Sequence, residues 1–165
     1  SMNAYYHDHF NSPIGTIAIS ATEAFVTNVL FSDDMIKTAI NKNKLTEDCK
    51  RQLVAYFEGH LMQFDLPLLQ TGTPFQQTVW TAVSKIAMGE TCSYSGIADF
   101  LKQPNLTRAI GAANGANKIA IIVPCHRVLG ANGKLTGYAW GAWRKEWLLK
   151  HERTTTKRVS ELFDF

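Results

Sequence analysis

The stretch IAIIVPCHRV at residues 119–128 joins an apolar run to a thiol and an imidazole. The run 119–123 predicts a short buried strand, and Val123 is expected to be extended because a proline follows it. Cys125 and His126 would then lie where a rigid core element gives way to a turn. A free thiol has a pKa near 8.5 and is only about 3% ionised at pH 7. A cation or a base beside Cys125 would therefore govern its strength as a nucleophile.

The composition is that of a globular chain with free thiols. With 165 residues, 45% of them hydrophobic, the chain can bury a real core in one or two compact domains. No apolar stretch approaches the roughly 18 residues of a membrane helix, and no secretory signal is visible. Three cysteines without paired metal spacing indicate neither a disulfide framework nor a zinc site. We therefore expect a cytoplasmic protein with no membrane partner.

The net charge of +3 is unevenly distributed between the two halves of the chain. Residues 1–70 carry a charge of −3, and residues 71–165, which include Cys125 and His126, carry +6. A polyanionic partner for the second half is one explanation. An ordinary solvated surface is the other, because the Lys and Arg residues are scattered.

The first seventy residues have the pattern of a small α/β domain. Three β-prone runs at 5–10, 16–21 and 25–31 predict a small antiparallel sheet. A helix is expected after the acidic start at 46–48, with apolar residues at helical spacing: Leu53, Tyr56, Phe57 and Leu61. Residues 63–72 have the composition of a linker. We place the boundary there, between a domain at 1–70 and a second domain at 71–165.

Residues 73–89 carry the signals of a capped helix. Thr73 is the candidate N-cap, Pro74 suits the first helical position, and Gln76 completes a capping box. Gly89 is expected to end the helix. Its inward face is an apolar stripe: Phe75, Val79, Val83 and Ile86.

Two further short helices form a candidate helix-turn-helix. Ser93 is expected to cap the first helix, Pro104 to break the chain, and Asn105 to cap the second helix, which stops at Asn114-Gly115. Both inward faces are expected to be apolar: Tyr94, Ile97, Ala98 and Leu101 in the first helix, and Leu106, Ala109, Ile110 and Ala113 in the second.

The outward face of the second helix consists of small residues and one arginine: Thr107, Arg108, Gly111, Ala112 and Gly115. Small residues let a backbone approach a partner closely, and this face suits a narrow DNA groove better than base reading in a wide one. The same residues would equally permit close packing against another helix of the protein.

A glycine-aromatic loop and a last helix follow the Cys-His segment. Asn132-Gly133 is a turn signal, and the loop 136–141 suits either the wall of a flat-ring pocket or a plain cover for the core. The last helix is expected to bury Trp143, Trp147 and Leu148 and to end near Glu152. Residues 153–165 are expected to form a loosely ordered tail.

The second half contains a series of different short motifs: Pro74-Phe75-Gln76, Val79-Trp80, Ser93-Tyr94, Arg108-Ala109-Ile110-Gly111, Asn114-Gly115-Ala116-Asn117, Gly137-Tyr138 and Arg144-Lys145-Glu146-Trp147-Leu148-Leu149. With Pro124-Cys125-His126-Arg127-Val128, the most specific of them, they closely resemble the O6-alkylguanine-DNA alkyltransferases, also called methylated-DNA–protein-cysteine methyltransferases. The resemblance is dense over residues 73–152. Residues 1–70 resemble the family only in layout.

The resemblance implies a two-domain fold and suicidal DNA repair. The first domain would be α/β, ribonuclease-H-like and largely structural. The second would be mainly helical, with a winged-helix-like helix-turn-helix that binds DNA and accepts the alkyl group. The protein would flip an O6-alkylguanine, or an O4-methylthymine, out of duplex DNA and move its alkyl group irreversibly onto Cys125. No cofactor is implied, and we expect a monomer in the free state.

The resemblance also implies the catalytic roles. Cys125 would be the acceptor, in a cysteine-water-histidine-glutamate network with His126 and Glu152. Adjacent side chains diverge, so a water relay is expected rather than a direct bond between Cys125 and His126. Asn117 would hold the turn around the cysteine, and Lys145 would help to ionise the thiol or orient the loop. Tyr94 would donate a hydrogen bond to the leaving base. It would also lie close to the DNA phosphate that rotates when the base is flipped out.

Other residues are implied to contact DNA or the flipped base. Arg108 would enter the base stack in place of the extruded guanine, and the DNA contacts around it would be Thr107, Ala109, Gly111, Ala112 and Tyr94. The base pocket would be lined by Val128, Tyr138, Ala139 and Trp140. Many members have glycine at Trp140, so the indole is expected to narrow the pocket. The cysteine and histidine set that binds zinc in some relatives is absent, so no metal is expected.

Three other functions compete with alkyl transfer. A cysteine hydrolase would also use Cys125 and His126, but their adjacency spoils the contact between nucleophile and base. A non-catalytic sensor of the alkyltransferase-like group would keep the DNA-binding scaffold without a reactive cysteine, and Cys125 is present. A transcription factor is disfavoured because the candidate recognition helix carries few groups that could read base edges.

Overall fold

A computed structural model describes residues 5–163, which divide into two compact units. The first unit contains the chain up to Thr71 together with Lys118–Ala120, and the second contains Gly72–Asn117 and the chain from Ile121 onward. Among the described residues, no helix is both long enough and apolar enough to cross a membrane.

The first unit is built on a three-stranded antiparallel sheet of β1 (Tyr6–Ser12), β2 (Gly15–Ala21) and β3 (Val26–Ser32), in that order. Alternate residues of the central strand face the core, so Ile17, Ile19 and Ala21 are buried. The predicted antiparallel sheet is therefore present.

The helix of the first unit, α1 (Lys44–Phe57), packs against this sheet and starts two residues before the predicted acidic turn. Its N-cap is Asn43, whose side chain accepts a hydrogen bond from the backbone amide of Thr46. Leu53 and Tyr56 are buried as expected. Leu61 lies beyond the helix end, so the predicted apolar stripe is too long by one residue.

The second unit begins with α2 (Pro74–Val83), and its start follows the sequence signals. The Thr73 side chain accepts from the Gln76 amide at 3.1 Å, and the Gln76 side chain accepts from the Thr73 amide at 2.9 Å. Val79 and Val83 are buried. The helix ends at Val83, not at Gly89 as expected, because the backbone amides of Lys85 and Ile86 bond three residues back, to Ala82 and Val83.

The helix-turn-helix consists of α3 (Tyr94–Phe100) and α4 (Thr107–Gly115), which pack against each other and follow the short strand β4 (Cys92–Ser93). Ser93 caps α3 as predicted. Asn105 does not cap α4, because it lies inside a 3-10 turn at Pro104–Leu106 that leads directly into the helix. Ala109 is exposed, not inward, because the buried stripe of α4 runs through Ile110 and Ala113.

The apolar run 119–123 is not a strand. Ile119 makes one isolated bridge to Val29 within the first unit, and the chain then turns at Ile121, whose φ is +70°. Ile119, Ile121 and Val123 are nevertheless buried. Consecutive apolar residues report burial but do not fix the backbone conformation.

The last helix, α5 (Ala142–Leu162), contains most of the segment predicted to be a loose tail. Threonine has a low helix propensity, but the hydroxyls of Thr154 and Thr156 donate to carbonyls one turn earlier, and Thr155 is buried. Residues 164 and 165 of the predicted tail lie outside the described residues. Trp143 is 55% exposed at the start of the helix, so its predicted burial is wrong.

We expect Thr73→Ala to lower the free energy of unfolding by about 1 kcal/mol, because the capping bond to Gln76 is lost. Urea unfolding followed by circular dichroism measures the change. Thr81→Ala is the matched control, since Thr81 is exposed within the same helix and should shift stability by less than about 0.5 kcal/mol. Equal effects of the two substitutions would contradict the assignment of Thr73 as a stabilising cap.

Candidate functional site

Cys125 lies on a buried 3-10 turn, Cys125–Arg127, that is held by two asparagines. Asn117 donates to the Val123 carbonyl at 3.1 Å and to the Cys125 sulfur at 3.2 Å. Asn114, at the end of α4, donates to the Cys125 carbonyl at 3.2 Å. Both asparagines are almost fully buried. The sulfur and the carbonyl of Cys125 are thus each held by a side-chain amide.

The environment of the thiol disfavours the thiolate. Burial raises the pKa of the Cys125 thiol to about 11, against the opposing effects of the Asn117 hydrogen bond and the Lys145 ammonium. At pH 7 about one molecule in ten thousand would carry the thiolate. A base that takes the proton during the reaction is therefore needed.

His126, Glu152 and Arg127 form a buried hydrogen-bonded cluster next to Cys125. His126 Nε2 lies 2.7 Å from Glu152 Oε2, and Arg127 Nε donates to Glu152 Oε1 at 2.8 Å. Burial raises the pKa of the Glu152 carboxyl, but His126 and Arg127 outweigh this effect and hold the pKa well below its usual range. Glu152 is therefore a carboxylate that accepts from both neighbours.

Lys145 and Tyr94 converge on the loop that follows the nucleophile turn. Lys145 is fully buried on α5, and its ammonium donates to the Val128 carbonyl at 2.6 Å and to the Thr136 carbonyl at 3.2 Å. The Tyr94 hydroxyl donates to the same Thr136 carbonyl at 3.3 Å. Burial lowers the pKa of Lys145, an effect that ionised Cys125 would oppose. Lys145 therefore joins the loop to β5 (Val128–Leu129).

The loop 136–141 lies against the catalytic cluster through its aromatic residues. The Tyr138 ring meets His126 edge-on at 6.4 Å and Trp140 at 5.4 Å between ring centroids. Val128 is buried, Trp140 is half-buried, and Ala139 is exposed. Gly137 has a φ of +77°, and a Cβ there would lie 3.0 Å from the Tyr94 hydroxyl. Glycine is thus required where the loop passes Tyr94.

An open pocket of about 610 Å³ lies between α4 and this loop. Its lining combines the recognition helix with Tyr94 and the loop: Tyr94, Thr107, Arg108, Gly111, Thr136 and Gly137. Arg108 and Ala112 are exposed on α4. The predicted DNA contacts Tyr94, Thr107, Arg108 and Gly111 therefore border one pocket, whereas Ala109 and Ala112 are not part of its lining.

Unused hydrogen-bonding capacity is concentrated at this site. Within residues 5–163, the buried side-chain nitrogen and oxygen atoms without a hydrogen-bond partner are Asn114 Oδ1, His126 Nδ1 and the Tyr138 hydroxyl. Asn114 bonds the nucleophile's carbonyl, His126 is adjacent to it, and Tyr138 contacts His126. Buried polar atoms are usually satisfied in folded proteins. All three atoms belong to residues of this site.

Sequence reasoning assigned no role to three residues of the site. Arg127 and Asn114 were present in the quoted motifs, but Arg127 was given no partner and Asn114 was treated as a helix stop. Thr136 contributes only its carbonyl, which no side-chain pattern can reveal. No group of three or more His, Cys, Asp or Glu side chains able to hold a metal occurs in the described part of the chain.

Family models match both units of the chain. The model of the 6-O-methylguanine DNA methyltransferase ribonuclease-like domain matches residues 4–70. The model of the 6-O-methylguanine DNA methyltransferase DNA-binding domain matches residues 74–154. Together the two matches span most of the sequence.

Individual relatives agree with the family models. A methylated-DNA–protein-cysteine methyltransferase of Methanosarcina acetivorans is 46% identical over 152 residues, covering 89% of this chain and 97% of the relative. The crystal structure of Mycobacterium tuberculosis O6-methylguanine methyltransferase superposes with a TM-score of 0.86 at 41% identity, covering 98% of this chain and 100% of that one. The Mycobacterium tuberculosis protein OGT in complex with DNA superposes with a TM-score of 0.83 at 44% identity, covering 90% and 93%.

We expect the free protein to show almost no Cys125 thiolate at pH 7. Thiolate ultraviolet absorbance, taken as the difference between the wild type and Cys125→Ser, should rise only as the pH approaches the thiol pKa of about 11. The difference spectrum removes the contribution of Cys49, whose thiol pKa burial raises to about 12. A full thiolate signal at pH 7 would contradict the need for a base.

Proposed function

This chain belongs to the 6-O-methylguanine DNA methyltransferase family, and from that premise we propose which of its residues carry the reaction. It is a DNA-binding repair enzyme that transfers an alkyl group from DNA to a cysteine of its own chain. The substrate is O6-alkylguanine in duplex DNA, chiefly the methyl adduct, with O4-methylthymine as a second substrate. The acceptor is Cys125. The observation that carries the assignment is the contact of this buried cysteine with Asn117, beside the His126–Glu152 pair.

The reaction is an in-line displacement at carbon. The Cys125 proton passes through a water to His126, the sulfur–carbon bond forms as the carbon–O6 bond breaks, and the electron pair of the broken bond stays on the base. The leaving nucleobase takes up one proton, so the products are S-methylcysteine and guanine. Asn117 and Lys145 stabilise the developing thiolate by a hydrogen bond and a positive charge.

Tyr94 and Arg108 serve the extruded nucleotide. The Tyr94 hydroxyl, which donates to Thr136 in the free protein, is the donor available to the leaving base. Arg108 is exposed at the border of the pocket and fills the space that the flipped base leaves in the duplex. Flipping costs a few kcal/mol of unstacking, and an inserted side chain recovers part of that cost.

The competing functions account for fewer of these features. A non-catalytic sensor does not need Cys125 or the buried cluster beside it. A hydrolase needs direct contact between thiol and imidazole, whereas Cys125 bonds Asn117 and His126 bonds Glu152. The monomeric free state and the cytoplasmic location stay predictions. The second is supported by three cysteines that are all free.

We expect one methyl group per protein molecule after incubation with a short duplex containing one O6-methylguanine. Intact-protein mass spectrometry followed by peptide mapping should place it on Cys125. Cys125→Ser should remain unmodified, and Cys92→Ser, which changes a thiol outside the turn, should be methylated like the wild type. An unmodified wild type that still prefers the lesion would favour the sensor. An unmodified wild type without that preference would refute the repair function.

We expect Trp140→Gly to gain reactivity toward O6-benzylguanine, because the family resemblance places the half-buried indole, which packs against Tyr138, in the wall of the base pocket. Single-turnover rates with benzyl and methyl substrates measure the change, and the methyl rate should alter little. Trp143→Ala is the matched control, since Trp143 is exposed and stacks on Arg144. If Trp140→Gly gains no benzyl reactivity, the indole does not limit the pocket.

A further inference from the structure

Arg127 is the side chain of the catalytic turn to which the proposed reaction gives no role. It is 7% exposed, and each of its three guanidinium nitrogens donates a hydrogen bond. Nε donates to Glu152 Oε1 at 2.8 Å, Nη2 to Glu152 Oε2 at 3.1 Å, and Nη1 to the Ile86 carbonyl at 2.6 Å. Arg127 thus contacts both oxygens of Glu152 and fixes the plane of the carboxylate.

The charge of Glu152 has to be compensated inside the protein. Without Arg127, the neighbour best placed to supply a positive charge is His126, whose Nε2 lies 2.7 Å from Glu152 Oε2. A buried carboxylate beside an imidazole favours the imidazolium. An imidazolium carries protons on both nitrogens and has no lone pair with which to accept another. His126 would then be unable to accept the Cys125 proton when the substrate binds.

The guanidinium changes this balance because the Arg127–Glu152 pair is neutral as a unit. His126 can then stay neutral, with its proton on Nε2 facing Glu152 and a lone pair on Nδ1. His126 Nδ1 is buried and has no hydrogen-bond partner in the protein. This is the tautomer that a proton acceptor for Cys125 needs, and the orientation of the carboxylate selects it.

We propose that Arg127 is a positioning residue that neutralises Glu152 and thereby keeps His126 as a neutral base, protonated on Nε2, at neutral pH. The proposal rests on the proposed function, in which His126 accepts the Cys125 proton. When Nδ1 takes that proton, His126 becomes an imidazolium that Glu152 still stabilises.

Other charged groups near the cluster have partners of their own. Arg144 is buried, its charge acts on Tyr138, and its guanidinium donates to the Trp140 carbonyl. Burial raises the pKa of Tyr138 well above its usual range, so its hydroxyl is neutral. The Lys145 ammonium bonds the Val128 and Thr136 carbonyls and lies next to Cys125. Arg153 and Glu146 line, together with Glu152, a cavity of about 400 Å³ on the α5 side. Arg127 is the cation of this set that forms an ion pair with the Glu152 carboxylate.

Four variants separate charge from geometry. Arg127→Met removes the charge at similar length, and Arg127→Lys keeps the charge without the two-pronged contact. Arg127→Met combined with Glu152→Gln removes both charges and restores neutrality. Arg153→Met is the matched control, because Arg153 is exposed and borders the same cavity.

The first readout is the pH profile of the single-turnover methylation rate. For Arg127→Met we expect a loss of about tenfold or more at pH 7 and an acid limb about one pH unit or more higher, because His126 must first lose a proton. Arg127→Lys should shift less. In the double variant the acid limb of the rate profile should return to the wild-type pH. The rate profile of Arg153→Met should match that of the wild type.

The second readout is the nitrogen NMR signal of the His126 ring in the protein without DNA. The wild type should show a neutral ring protonated on Nε2 at pH 7, and Arg127→Met a ring protonated on both nitrogens. A purely structural arginine would not alter the protonation of the ring.

The proposal is overturned if Arg127→Met, folded by circular dichroism, keeps the wild-type ring signals and rate profile. If Arg127→Met does not fold, Arg127→Gln, which also removes the charge, carries the test, and a wild-type ring state with a wild-type profile overturns the proposal. Absence of self-methylation in the wild type would refute the proposed function. The NMR titration would still decide the state of His126.

Discussion

The buried carboxylate of Glu152 is the constraint on which the catalytic half of the structure depends. A charge inside the core is tolerated only when it is paired and fully hydrogen-bonded, and removing one partner of such a pair typically costs about 3–5 kcal/mol. Glu152 meets this condition with His126 and Arg127 from the nucleophile turn. The position of α5 and the conformation of the turn Cys125–Arg127 are therefore linked by one ion cluster.

The nucleophile Cys125 is buried beside this ion cluster. Cys125 is 3% exposed and its thiol is held protonated, so it is a poor target for oxidants and for alkylating agents in solution. A protein that is consumed by one alkylation benefits from a thiol that becomes reactive only when a base and a bound substrate are both present. In the proposed reaction the cluster supplies the base, and the Asn117 hydrogen bond and the Lys145 charge, which both lower the pKa of Cys125, favour the thiolate.

The sequence correctly predicted the elements that are formed by residues close together in the chain. The capping box at Thr73, the Ser93 cap and the alternating strands are each formed by a few neighbouring residues, and each is present. The failures have causes that lie outside the local window. The run 119–123 turns at Ile121, and the helix beyond Glu152 is completed by threonine hydroxyls and the burial of Thr155.

The site was only partly predictable for the same reason. Cys125 and His126 are adjacent in the chain, so the sequence alone indicated that both lie at the same turn. Glu152, 26 residues further on, was assigned through the family resemblance, because only the fold brings it 2.7 Å from His126. Arg127 was visible in the motif, but its function depends on a partner 25 residues away that no periodicity connects to it.

The glycines of α4 differ from those of the loop 136–141 in what the fold requires of them. Gly137 and Gly141 have positive φ angles, so the loop itself requires them. Gly111 and Gly115 have helical backbones, and a Cβ added at either would meet its nearest neighbour at an ordinary 3.8 Å. Each costs about 1 kcal/mol of helix stability relative to alanine. The protein's own packing therefore leaves room for a side chain at these two positions. An exposed helix face without side chains at these two positions is what the proposed approach of a DNA backbone to Arg108 needs.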